Sequence, residues 1–129
     1  GRNFGGSGGR PASTPVPPGL HWDEWIGPAP YRDYHDGLHP FHWRSWRQFG
    51  TGTIGDMACH HVAVPFMALR LSEVKRFTIE CIQTTGGSEE MYPQNNVVCY
   101  HIPARDQFAA CRCYFYDYVD LKPEVMKEA

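Results

Sequence analysis

The hydrophobic residues of this 129-residue chain follow two different periods, and the change between them divides the chain. Between Met57 and Leu69 the apolar positions recur at largely helical spacing. This pattern predicts a helix of about 14 residues, with Asp56 as its N-cap or a first-turn acid and with its end near Leu71. Pro65 lies inside the stretch and predicts a kink, because proline removes one backbone donor from a helix.

Beyond this helix the period changes to two, which is typical of strands. Phe77, Ile79 and Cys81 alternate with polar residues and predict a strand with one solvent-facing side. Two further strands are predicted at 97–102 and 108–116, and the short link between them favours antiparallel pairing. The predicted fold class is therefore α+β, with a mostly antiparallel sheet packed against one main helix.

The residues before the helix are of two kinds. Residues 1–19 hold six glycines and four prolines, a composition that cannot supply a core and that predicts a linker or an exposed arm. From Leu20 the chain is rich in aromatic residues broken by prolines, which predicts short turns and extended pieces held by aromatic packing. We therefore expect a linker over 1–19, one domain over 20–123 and a charged tail over 124–129.

Composition excludes several classes of function. The formal net charge is -2, so no basic surface is expected that could neutralise a nucleic-acid backbone. The stretch from Trp43 to Arg47 interleaves aromatic and basic residues, but one such cluster is a weak sign of single-strand binding. No apolar run approaches the roughly 20 residues that span a bilayer. We expect no nucleic-acid partner and no membrane association.

The five cysteines are odd in number and lack the spacing of a disulfide framework. Three of them lie in apolar runs, which favours buried thiols in a reducing compartment and hence a cytoplasmic location. An export signal removed earlier would leave no trace in the chain. Cys111 and Cys113 share one side of a predicted strand, and such a pair belongs to a core more often than to a metal site.

Asp56 and His60 are the strongest candidates for chemistry. Residues four apart on a helix share a face, so the carboxylate can hold one imidazole nitrogen and direct the other outward. A general acid/base needs this arrangement. The alternative explanation of the spacing is a helix cap followed by an ordinary histidine.

Two other patterns could indicate a ligand, and both are weaker. Residues 50–55 formally read G-x-G-x-x-G, the dinucleotide fingerprint, but no buried strand precedes them and no parallel crossover follows. Histidines at 35, 39, 42, 60 and 61 could ligate zinc, yet the first three lie in a proline-broken segment without a regular face. We expect the glycines to serve a turn, and we expect no metal site.

About four fifths of the chain, from Leu20 to Pro123, resembles the C-terminal substrate domain of bacterial oxidoreductases of the Gfo/Idh/MocA family. The blocks that carry the resemblance are Trp22 to Pro30, Trp43 to Gly52, Gly55 to His60, Tyr92-Pro93, Pro103 to Arg105 and Tyr114 to Asp117.

The resemblance implies the C-terminal part of an NAD(P)-dependent oxidoreductase that acts on a sugar or polyol. NAD or NADP would be bound mainly by an N-terminal Rossmann domain that is absent from these residues, so the chain alone would be inactive. Asp56 and His60 match the family's catalytic Asp and His, which implies that His60 takes the hydroxyl proton and Asp56 orients it. Trp43, Arg44 and His61 would line the substrate. An open sheet face could also support homo-oligomers.

The chain departs from the family pattern in two places. The family's Glu-Lys-Pro lysine has no counterpart, since Lys122-Pro123 lies near the end of the chain. Ala63 stands three residues after the histidine, where relatives often have Asp or Asn.

An alternative function from another class is a non-catalytic carbohydrate-binding or interaction module whose exposed tryptophans do the binding.

Overall fold

A computed structural model describes residues 4–117 of the chain. The elements are, in chain order, α1 (Trp22–Ile26), a 3-10 helix (His42–Ser45), α2 (Gly52–Ala68), a second 3-10 helix (Leu71–Glu73), β1 (Thr78–Gly86), β2 (Pro93–Ile102) and β3 (Cys111–Tyr116). The predicted α+β fold class is confirmed. The predicted tail at 124–129 lies outside the described residues.

The three strands form one sheet in the order β1-β2-β3, and both pairings are antiparallel, as predicted. Two strand boundaries differ from the prediction: β2 begins already at Pro93, and β3 begins only at Cys111. The difference at β3 arises because Arg105 and Phe108 exchange backbone hydrogen bonds with each other, which forms a turn in the connection.

Strand β1 differs from the prediction in its exposure. The alternation predicts one solvent-facing side, but every residue of β1 is exposed, including Ile79 at 61% and Ile82 at 50%. β1 is an edge strand of the sheet described, and a register irregularity between Cys81 and Gln83 breaks its alternation. The apolar side of β1 is therefore uncovered within residues 4–117.

Helix α2 is longer than predicted, with 17 residues, and it begins earlier. Thr51 is its N-cap, so the prediction that Asp56 caps the helix or lies in its first turn is wrong. Gly52 adopts the left-handed φ of +65° against the ring of Tyr92, which allows the chain to turn into the helix at that point. The helix continues through Pro65 and ends at Ala68.

A cluster of buried hydrophobic side chains lies in the aromatic region, residues 20–50, and further buried apolar side chains lie on β2 and β3: Val97, Val98, Cys99, Ile102 and Phe115. The cluster in the aromatic region consists of Trp22, Ile26, Tyr34, Leu38 and Trp46. The indole N–H of Trp22 donates to the Arg32 carbonyl and that of Trp46 to the Gly37 carbonyl, each at 2.8 Å. Both buried indoles are therefore satisfied, and the predicted aromatic packing is confirmed.

The arm, residues 4–19, contains neither helix nor strand. Phe4 differs from the prediction of a linker or an exposed arm, because it is only 1% exposed and contributes to the interior. Between α2 and the sheet lies a cavity of about 400 Å³, lined mainly by apolar side chains. None of the helices within residues 4–117 has the length and apolar character that crossing a membrane requires.

Candidate functional site

Asp56 lies on α2 one turn after the start of the helix, and the side chain that holds it is Arg44. The Arg44 Nε–H donates to Asp56 Oδ1 at 3.2 Å, and an Arg44 terminal N–H donates to the Phe41 carbonyl at 3.1 Å. Arg44 belongs to the 3-10 helix His42–Ser45, so this short helix is tied to α2. The Arg44 side chain is 25% exposed and the Asp56 side chain 29%, so water screens the ion pair only in part.

Aromatic rings surround the Arg44 guanidinium. Its carbon lies 4.4 Å from the ring centre of Trp43, 4.8 Å from that of Phe41 and 5.5 Å from that of Phe4. A cation over an aromatic face is attracted by the negative charge of the ring face. The rings and the two hydrogen bonds together hold the guanidinium in one orientation beside Asp56.

His60 lies one helical turn after Asp56 and is exposed. Within residues 4–117 its side chain has no hydrogen-bond partner, and the structure therefore joins Asp56 to Arg44 and not to His60. A carboxylate accepts through two oxygens, and Arg44 occupies only Oδ1. Asp56 can therefore accept a hydrogen bond from Arg44 through Oδ1 and a second one from the His60 ring through Oδ2.

His61 lies on the neighbouring side of α2. Its ring centre is 6.1 Å from that of Phe115 on β3, and both side chains line the cavity between the helix and the sheet. The structure thus brings Trp43, Arg44 and Asp56 together with His60 beside them, while His61 contacts the sheet.

A family model described as the C-terminal alpha/beta domain of an oxidoreductase family, Gfo/Idh/MocA, matches residues 5–81. The match covers more than half of the chain and includes Arg44, Asp56 and His60. The chain belongs to the Gfo/Idh/MocA oxidoreductase family. It carries that family's C-terminal domain, and the match begins within the arm. A search of curated proteins finds no match for this chain.

The glycines of residues 50–55 in this Gfo/Idh/MocA domain lie against the protein's own atoms. A Cβ at Gly50 would lie 2.3 Å from the Arg44 carbonyl oxygen, and one at Gly52 would lie 2.8 Å from the Tyr92 side chain. The preceding element is a 3-10 helix and not a buried strand. The glycines at 50 and 52 therefore serve the close approach of the chain to its own backbone and side chains.

His35, one of the histidines that could have ligated zinc, is buried and occupied. Its Nδ1 accepts from the Gly37 N–H at 3.1 Å, and its Nε2 lies 3.1 Å from the Arg32 guanidinium. Burial lowers the pKa of His35, and the positive charges of Arg32 and Arg10 lower that pKa further. Within residues 4–117 no group of three or more His, Cys, Asp and Glu side chains could hold a metal ion.

Two residues that support the site were missed by sequence reasoning. The Phe4 backbone N–H donates to the hydroxyl oxygen of Thr53 at 2.8 Å, and both residues are buried. Thr53 follows the N-cap of α2 closely, and a hydroxyl in the first turn of a helix is a signal that could have found it. Nothing in the glycine-rich composition around Phe4 points to its role.

Proposed function

We propose that this Gfo/Idh/MocA C-terminal domain forms the substrate side of an NAD(P)-dependent oxidoreductase that acts on a hydroxyl of a sugar or polyol. The observation that carries the proposal is the position of Asp56 and His60 one turn apart on α2, with Asp56 held by Arg44 beside Trp43. Family membership supports an oxidoreductase, while the substrate class and the cofactor belong to the proposal.

In this proposal His60 is the general base for alcohol oxidation. A neutral imidazole accepts the substrate's hydroxyl proton on one ring nitrogen, while the other ring nitrogen donates to Asp56 Oδ2. The negative charge of Asp56 stabilises the imidazolium that forms. A nicotinamide cofactor supplies the hydride acceptor for the substrate carbon.

Trp43 and Arg44 have the chemistry that a polyol requires. Polyols carry apolar C–H faces and many hydroxyls, so a binding site combines ring faces with polar groups. Trp43 offers an aromatic face, and Arg44 uses only two of its five N–H groups for Asp56 and Phe41. His61 is the third substrate contact in the proposal, on the side of α2 that meets the sheet.

The cofactor, NAD or NADP, would be held mainly by an N-terminal Rossmann domain. Two observations support this division. The turn at 50–55 is filled by the chain's own atoms. Val64 and Met67 on α2 are 69% and 70% exposed, and apolar side chains grouped on a helix are typical of a surface that another domain covers.

The alternative function, a carbohydrate-binding module with exposed tryptophans, loses its main support. The chain has four tryptophans, of which Trp22 and Trp46 are buried and Trp25 and Trp43 are half-buried. No tryptophan is therefore fully exposed, and only the half-buried Trp25 and Trp43 have ring surface that a ligand could reach.

His60→Ala tests the proposal in an enzyme that contains this chain and its cofactor domain. Loss of a general base should lower the hydride-transfer rate by about 10² to 10⁴. The measurement is single-turnover nicotinamide absorbance after rapid mixing with substrate. His21→Ala is the matched control, because His21 is exposed at the start of α1 and makes no side-chain cap bond. A change of less than about threefold for His60→Ala would mean an ordinary surface histidine.

A further inference from the structure

The arm is attached to the rest of the domain by a series of specific contacts. The Gly6 N–H donates to the Tyr92 carbonyl at 3.1 Å, and the Gly87 N–H donates to the Gly6 carbonyl at 2.6 Å. Further along, the Arg10 guanidinium pairs with Glu90 at 2.8 Å. The arm therefore lies along the β1–β2 connection and holds Phe4 at a fixed place.

Gly5 makes this close attachment possible. A Cβ at Gly5 would lie 2.0 Å from the Pro93 carbonyl oxygen, a distance that no side chain tolerates. The backbone of the arm thus packs directly on the start of β2. Phe4, the residue before Gly5, lies in the interior.

Phe4 contacts each of the parts that fix Asp56. Its N–H donates to Thr53, which lies one turn before Asp56 on α2. Its ring centre lies 5.4 Å from that of Phe41, whose carbonyl accepts a hydrogen bond from Arg44. The same ring lies 5.5 Å from the Arg44 guanidinium carbon.

We infer that Phe4 is a positioning residue for Asp56 and acts on it through Arg44. The Phe4 ring covers one side of the guanidinium and keeps water from it, so the Arg44 Nε–H remains directed at Asp56 Oδ1. Without the ring, the guanidinium gains room to rotate and water competes for its hydrogen bonds. The consequence for catalysis rests on the proposed role of Asp56, but the contact itself does not.

Hydrogen exchange of the Arg44 Nε–H measures this positioning directly in the full 129-residue chain, labelled with ¹⁵N-arginine and followed by NMR. Phe4→Ala should speed the exchange by about tenfold or more, as expected when a charge-assisted hydrogen bond opens. Phe4→Leu keeps most of the buried volume and should speed it by more than about threefold, since the aromatic face is lost. Asp56→Asn gives the rate for a broken ion pair.

Ile26→Ala is the control for a general loss of stability, because Ile26 is buried in the core of the aromatic region. It should leave the Arg44 Nε–H exchange within about twofold of the wild-type rate. Equal acceleration by Ile26→Ala and Phe4→Ala would overturn the inference, and so would a wild-type rate in Phe4→Leu. If Phe4→Ala does not fold, Phe4→Leu alone decides the question. The measurement needs neither cofactor nor substrate, so its outcome is independent of the His60→Ala experiment.

Discussion

The aromatic region is well buried but has little regular secondary structure, whereas the edge strand of the sheet is regular but exposed. Between residues 20 and 50 regular structure is short, limited to α1 and one 3-10 helix, yet Leu38 is 0% exposed and Trp46 is 3% exposed. Strand β1 has a regular hydrogen-bonded ladder with β2, yet all nine of its residues are exposed.

The difference teaches that backbone hydrogen bonding and burial are separate sources of order. A hydrogen bond contributes about 1 kcal/mol net because it replaces one with water, whereas a fully buried large apolar side chain contributes about 1.5–3 kcal/mol. The aromatic region therefore carries more of this chain's stability than its few helical turns suggest.

The largest expected effect is that of Trp46→Ala. The indole packs at the centre of the core, and its loss should reduce the free energy of unfolding by about 3–5 kcal/mol. Phe77→Ala is the matched aromatic substitution next to the sheet, where the ring is 51% exposed, and it should cost less than about 1 kcal/mol. Urea denaturation followed by far-UV circular dichroism measures both. Similar losses in the two variants would break the contrast between the regions.

Gly52→Ala tests the junction between the two regions, where the start of α2 packs against Tyr92 next to the start of β2. An alanine there needs a positive φ, and its Cβ would also meet the Tyr92 side chain at 2.8 Å. We expect a loss of about 2–3 kcal/mol in the free energy of unfolding.

Gly19→Ala is the matched control for Gly52→Ala. It has a similar φ, +84°, but no neighbouring atom within 4 Å of the added Cβ. Its cost should be about 1 kcal/mol, from backbone strain alone. Equal losses in both variants, measured by the same denaturation, would mean that the Tyr92 contact does not fix the junction.

Much of the fold follows from local pattern. The helical spacing after Asp56 and the alternation after Lys75 predict α2 and β1, because those periods reflect which side of an element meets other atoms. The start of α2 is not predictable in this way. It depends on Gly52 packing against Tyr92, a residue 40 positions later in the chain, and local sequence does not encode such a contact.

Less of the candidate site than of the fold can be predicted from the sequence. Asp56 and His60 share a helix face by spacing alone, so the sequence indicates the pair. The ion pair between Asp56 and Arg44 depends on how the 3-10 helix packs against α2, and the spacing of 12 residues does not predict it. The contact between Phe4 and Arg44 is even harder to predict, because it depends on the whole path of the arm along the β1–β2 connection.

The smallest expected effect is a pH dependence that originates in the aromatic region. His35 is 2% exposed, and burial followed by Arg32 and Arg10 lowers its pKa, while Asp36 and Glu90 act in the opposite direction. In the unfolded chain His35 then takes up a proton at about pH 6.5, whereas in the folded chain it takes up that proton only at a lower pH. Stability from this residue is fully present above that pH and is lost as the pH falls below it.

His35→Gln should therefore flatten the decline in the free energy of unfolding between pH 7 and pH 5, measured by urea denaturation at each pH. One group changes this free energy by at most about 1.4 kcal/mol per pH unit, which sets the upper limit of the difference between the two slopes. Leu38→Ala is the control, because it removes a fully buried side chain without a titratable group and should lower stability equally at every pH. If His35→Gln declines as steeply as the wild type, the pH sensitivity does not come from the buried histidine, and the aromatic region differs from the sheet in packing alone.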